Sequence, residues 1–149
     1  MKVNQKIKLK IFSVGMLFLM VSCTTYTILP ESFKDQFTKN DKSKMKEVVV
    51  NNPLLHKDFK YSSNDIEYLI VCDKKGKETK IRNSASLEMR VTLLNGKRKY
   101  FYFDTVVLEN DTLKGGKSRF MPGLNNSIPF DQIVKIEVQE GGKNYYYKN

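Results

Sequence analysis

The chain has 149 residues, with 26 Lys and Arg against 16 Asp and Glu, one His, two Cys and no Trp. That length holds one domain and not two. A single His leaves a histidine relay or multi-His metal site without companions, and two Cys exclude the disulfide framework of small secreted scaffolds.

The N-terminus carries the sharpest pattern. Lys2, Lys6, Lys8 and Lys10 precede any acid, and Ile11 to Val21 is an apolar run broken only by Ser13 and Gly15. Ser22 and Cys23 follow. A basic segment, a short apolar segment and a small residue describe an export signal. The run is shorter than the roughly 20 residues a membrane span needs. Met20-Val21-Ser22-Cys23 resembles the lipobox of bacterial lipoproteins, with Met where Leu is usual. The resemblance implies diacylglycerol on the Cys23 thiol, cleavage before it and acylation of the new amine. Several acyl chains give stable anchoring where one does not. Thr24 stands where an inner-membrane retention Asp would, and no acidic surface-export cluster follows, so the expected place is the outer membrane, periplasmic face. The expected organisation is a cleaved signal over 1–22, a lipidated tether over 23–47 and a β domain over 48–149. Four of the bases lie in the signal, which leaves the mature chain at +6.

Thr24 to about Lys46 is polar, with little periodicity, and reads as a tether or a marginal helix. Val48-Val49-Val50 and Leu54-Leu55 are the first apolar material, separated by Pro53. Ile66 to Cys72 predicts a buried strand, ended by the turn Asp73-Lys74-Lys75-Gly76. Cys72 itself reads as a small buried hydrophobe. Thr79 to Arg82 returns, and Leu87 to Leu93 alternates with period two. Asn95-Gly96 is a two-residue hairpin signal, because a type I′ turn needs positive φ at both central residues. Lys97 to Phe103 comes back, with Phe101 and Phe103 on one face and Tyr100 and Tyr102 on the other. Val106 and Leu108, a turn at Asn110-Asp111, and Leu113 follow. Gly115-Gly116 predicts a bend or bulge, and Pro122-Gly123 and Asn125-Asn126 a loop. Ile128 to Ile133 predicts a short strand and tight turn. Val134, Ile136 and Val138 alternate with Lys135 and Glu137, and Tyr145 to Tyr147 closes the sheet after Gly141-Gly142. The expected fold class is all-β, a small antiparallel meander tending to an SH3-like or partly open barrel.

Met89-Arg90-Val91-Thr92-Leu93, Phe103-Asp104-Thr105-Val106, Ser118-Arg119-Phe120 and Ile128-Pro129-Phe130-Asp131-Gln132-Ile133 are similar to small Bacteroidetes lipoproteins of unknown function. Their layout also resembles SH3-like and Sm-like barrels. Neither likeness carries an activity.

Candidate chemistry is thin. Gly115-Gly116-Lys117-Ser118 imitates the end of a phosphate loop, but Asp111 stands where its first Gly belongs, and strand-like sequence lies on both sides. His56 lacks partners. Asp104, Glu109 and Asp111 read as solvated charges around a hairpin, with Asp104 and Asp111 the candidates should the chain act on envelope polymers. Recognition is assigned to Arg90, Tyr100, Tyr102 and Arg119, on an aromatic and basic outer face. No cofactor, metal or nucleic acid is expected. The expected partners are the membrane, through the lipid on Cys23, and an envelope protein or glycan, with anionic lipid or lipopolysaccharide as an alternative.

Overall fold

The computed structural model describes residues 24–38, 44–54, 57–119, 121 and 123–148. Cys23, His56 and the first part of the Pro122-Gly123 loop lie outside them. The described residues form twelve strands, β1 (Thr25–Ile28), β2 (Lys46–Val50), β3 (Phe59–Ser63), β4 (Tyr68–Cys72), β5 (Glu78–Arg82), β6 (Leu87–Leu93), β7 (Arg98–Tyr102), β8 (Val107–Glu109), β9 (Thr112–Gly116), β10 (Asn125–Pro129), β11 (Ile133–Glu140) and β12 (Tyr147–Lys148), with a helix α1 (Pro30–Thr38). They form a six-stranded sheet in the order β5-β4-β1-β11-β6-β7 and two three-stranded sheets, β10-β9-β8 and β12-β2-β3. Every pairing is antiparallel. The all-β antiparallel class is therefore what the chain adopts. The sheets are not closed into a barrel.

Two stretches expected to lie in a tether, Thr25–Ile28 and Pro30–Thr38, belong to the domain. Thr25–Ile28 is a central strand, held between β4 and β11. Helix α1 starts with Pro at its first position, where the missing N–H is no loss, and has Glu31 in its first turn. Phe33 and Phe37, four residues apart, share one face and stack with ring centroids 4.2 Å apart. Phe33 lies over Phe130 and Phe37 meets the Phe103 ring edge-on. Both helix phenylalanines are fully buried. Between them, Gln36 acts as a substitute strand: its amide accepts from Ile70 N–H and donates to Ile70 C=O, at 2.8 and 3.1 Å. Those are β4 groups that the short β1 does not reach, and a buried strand edge left bare would be costly.

Four further expectations change. Gly115 and Gly116 lie inside β9, and Asn125-Asn126 inside β10. A Cβ on Gly115 would come within 2.9 Å of the Phe101 ring, so glycine there serves close packing. In β11 the register shifts between Ile133 and Lys135. That extra residue reverses the alternation, so Ile133, Ile136 and Val138 are buried while Val134 is exposed. Finally, β12 pairs with β2 and not with β11.

The main core lies under the six-stranded sheet, α1 and the inner face of β8–β10. A second core holds Val50, Ala85, Tyr102 and Tyr145 beneath the β12-β2-β3 sheet. Phe33→Ala is expected to lose about 3–5 kcal/mol, read as a lower urea midpoint at unchanged slope. A tether over this segment would leave the midpoint where it was.

Candidate functional site

Chain geometry brings one buried ion pair and one cleft side by side. Asp104 lies in the 3-10 turn Phe103–Thr105 that follows β7, and it is fully buried. The turn is fixed from outside by Asn64. Its N–H donates to Asp104 C=O at 2.6 Å, and its amide donates to the carbonyls of Phe103 and Val106. The carboxylate is shared three ways. Asp104 Oδ1 accepts from Arg119 Nη2 at 2.7 Å. Asp104 Oδ2 accepts from the Tyr61 and Tyr147 hydroxyls at 2.5 and 2.9 Å. Arg119 Nη2 also donates to Ala85 C=O at 2.6 Å.

Arg119 comes from the segment between β9 and β10. Its guanidinium is sandwiched between the Tyr61 and Tyr102 rings, 4.4 and 4.1 Å from their centroids. That stacking suits a planar, weakly hydrated cation. Its Nε and Nη1 have no hydrogen-bond partner among the described residues. The aromatic faces are the attraction that holds this edge.

Burial raises the Asp104 carboxyl above the ordinary carboxylate range, against the opposing pull of Arg119 and the tyrosine hydroxyls. Burial first, and the Asp104 charge second, push both the Tyr61 and Tyr147 hydroxyls far above the usual tyrosine value. Both hydroxyls therefore remain donors.

Beside the pair lies a cleft of about 690 Å³, within the ~300–1,000 Å³ typical of ligand sites. One wall is the outer face of the β8–β10 sheet. In that sheet Leu113 and Ile128 point to the core, and residues of the opposite parity, including Val107, Lys114, Gly116 and Ser127, line the cleft. The other wall is β3. Four consecutive residues, Phe59 to Ser62, line it. β3 has β2 on one side and, among the described residues, no strand on the other, so it presents an edge to the cleft. The rim is charged: Asp58 pairs with Lys148 and Glu109 with Lys114, at 2.8 and 2.9 Å, with Lys57 and Lys60 adding positive charge.

The four residues assigned to recognition fall in two places. Arg90 and Tyr100 are register partners on the six-stranded sheet. Arg90 is ion-paired to Glu137 at 2.9 Å, and Tyr100 is exposed. The hollow between them holds only about 20 Å³. Tyr102 is not on an outer face. Tyr145 covers it edge-on at 6.1 Å, and Arg119 lies on its ring. Arg119 borders the cleft with its side chain almost wholly enclosed. The two carboxylates considered for catalysis do not pair: Asp104 is enclosed, and Asp111 is an exposed turn residue bonded to Lys34. The reading of Asp104 as a solvated hairpin charge is corrected by that enclosure. Cys72 is half-buried and unpaired.

Sequence reasoning did not find Tyr61 or Tyr147. Phe59-Lys60-Tyr61 does alternate, and that was the available signal. Comparison of the chain with protein-family models, curated proteins and solved structures gives no match.

Two outcomes are expected. Asp104→Asn and Arg119→Met each destabilise by about 3–5 kcal/mol, because each leaves a buried polar partner behind. The double variant loses less than their sum, as a double-mutant cycle on urea midpoints reads directly. Above about pH 10 the unfolded chain releases the Tyr61 and Tyr147 protons and the folded chain keeps them, so stability falls with rising pH. Replacing both by Phe makes the alkaline fall in urea midpoint shallower.

Proposed function

We propose that this chain is a lipid-anchored binding module of a bacterial envelope, acylated at Cys23, on the periplasmic face of the outer membrane, which takes an extended segment of an envelope protein into the cleft between β3 and the β8–β10 sheet. The observation that carries the binding part is the β3 edge facing a cleft of about 690 Å³. An unpaired strand edge offers a repeating row of N–H and C=O groups. An extended peptide matches that row, and alternate side chains supply specificity. The polar wall opposite, with Asn125, Asn126 and Ser127, suits hydrogen-bonding side chains more than a lipid tail. Arg119 and Asp104 set the width of the cleft and do not touch the ligand. The anchoring part is supported by the residues of the first 23 positions. Membrane attachment raises the effective concentration of the module near its partner.

A hydrolase acting through Asp104 and Asp111 is the weaker reading, since the two carboxylates face different surroundings. A glycan in the cleft would use the same polar wall but not the strand edge.

A photo-crosslinking residue at Lys60 or Ser127, in cells with their native envelope, is expected to capture a protein partner. The same residue at Tyr100 captures none. Capture from Tyr100 alone, or from no position, overturns the cleft. Intact mass of the membrane-extracted protein tests the anchor: retained Met1 or an unmodified Cys23 thiol overturns it.

A further inference from the structure

We infer that the β4–β5 turn, Asp73–Lys77, is a membrane-contacting surface that binds the anionic phospholipid headgroups of the leaflet holding the acyl chains; this rests on acylation of Cys23. Cys23 precedes Thr25, the first residue of β1, by two positions. Two peptide units span at most about 7.6 Å between Cα atoms. The lipid is therefore attached within about two strand spacings, each ~4.8 Å, of a central strand of the sheet. No spacer separates the folded domain from the bilayer, so one end of the six-stranded sheet must face it.

The register says which groups lie at that end. β1 runs antiparallel to β4, with Thr27 opposite Cys72. Continuing that register two residues back along β1 brings Thr25 level with the start of the β4–β5 turn. That turn therefore lies at the end of the sheet where β1 begins. Lys74, Lys75 and Lys77 are all exposed there. The local carboxylate is turned onto its own backbone: Asp73 Oδ1 accepts the N–H groups of Lys75 and Lys77 at 2.8 and 2.9 Å. Gly76, at φ +78°, completes the turn with its N–H on Asp73 C=O. The result is a tight turn with three exposed lysines, followed by Glu78 at the start of β5.

A second basic turn supplies the comparison. β6 runs in the same direction as β1, through their shared neighbour β11: Thr25 and Glu88 both pair with Gln139, and Ile28 and Val91 both pair with Ile136. The Asn95-Gly96 turn, with Lys97 and Lys99, is thus at the opposite end. From Glu88 to Leu93 the strand rises about 17 Å, twice the ~8 Å screening length of physiological salt. Lysines near an anionic surface each strengthen binding about fivefold. Lys97, opposite Leu93, lies outside that field, and Lys99, opposite Val91 and about 10 Å along, lies beyond one screening length.

The acylated protein, inserted from outside into preformed vesicles, is treated with a membrane-impermeant amine-acylating reagent and read by peptide mass spectrometry. In phosphatidylglycerol-containing vesicles, labelling of Lys74, Lys75 and Lys77 is expected to fall about fivefold relative to detergent and to recover in high salt. Lys97 and Lys99 label equally in both. Equal labelling of both turns in vesicles and detergent, or protection of Lys97 and Lys99 instead, overturns the inference. Flotation with neutral phosphatidylcholine vesicles separates the two claims. Protein that does not float has no anchor, whereas protein that floats with an unprotected turn is anchored without this contact. The variant K74Q/K75Q/K77Q is expected to float still and to lose its preference for anionic vesicles; a retained preference also overturns the inference.

Discussion

The Asp104–Arg119 pair is the constraint on which the smaller half of the molecule depends. It joins five pieces of chain that are far apart in sequence: the turn after β7, the segment after β9, β3 through Tyr61, β12 through Tyr147, and the Ala85 carbonyl. A buried ion pair adds little net stability by itself, because desolvating two charges offsets most of their attraction. Its use here is specification. An aspartate enclosed in protein must find donors, and only one arrangement of these five segments gives it three. An apolar replacement of equal volume would let the small sheet slide.

That arrangement explains why the cleft stays open. The β12-β2-β3 sheet and the β8–β10 sheet would gain by closing on each other over apolar surface. Arg119, from the segment after β9, fills the base, its guanidinium stacked between Tyr61 of β3 and Tyr102 of β7. The polar outer face of β9 and β10 and the charged pairs on the rim remove the incentive above it. The two cores therefore meet along β7, where Phe101 packs to one side and Tyr102 to the other.

Much of the strand content was legible in the sequence, because alternation and turn chemistry are local. Leu87–Leu93, a hairpin at Asn95-Gly96 and the turn at Asn110-Asp111 follow from residues read in order, but only Gly96 has positive φ in the first turn, which takes in Leu94 as well and is not type I′, whereas Asn110 and Asp111 both have it. What was not legible came from partners far along the chain. Thr25-Tyr26-Thr27-Ile28 reads as polar linker, and only β11 and β4 make it a strand. Phe33 and Phe37 carried a helical spacing, but two residues in a charged segment are a weak signal. The shift at Val134 needs one added residue against β6, which no pattern in β11 announces. Asp104 looked like a hairpin charge because its three donors lie elsewhere in the sequence. The site was missed for the same reason, although Arg119 and Tyr102 were both singled out on other grounds.

The place of β1 also governs how the fold can be reached. It is made before every other described strand, yet Thr25 pairs with Gln139, 114 positions later. Until β11 emerges, β4–β5 and β6–β7 have nothing to join them. The sheet is assembled last across its middle, a high-contact-order closure that is slow by nature. For most of synthesis the nascent chain therefore carries two open hairpins and an unmatched leading strand, the state in which edge-to-edge aggregation is fastest and a holding chaperone has most to do.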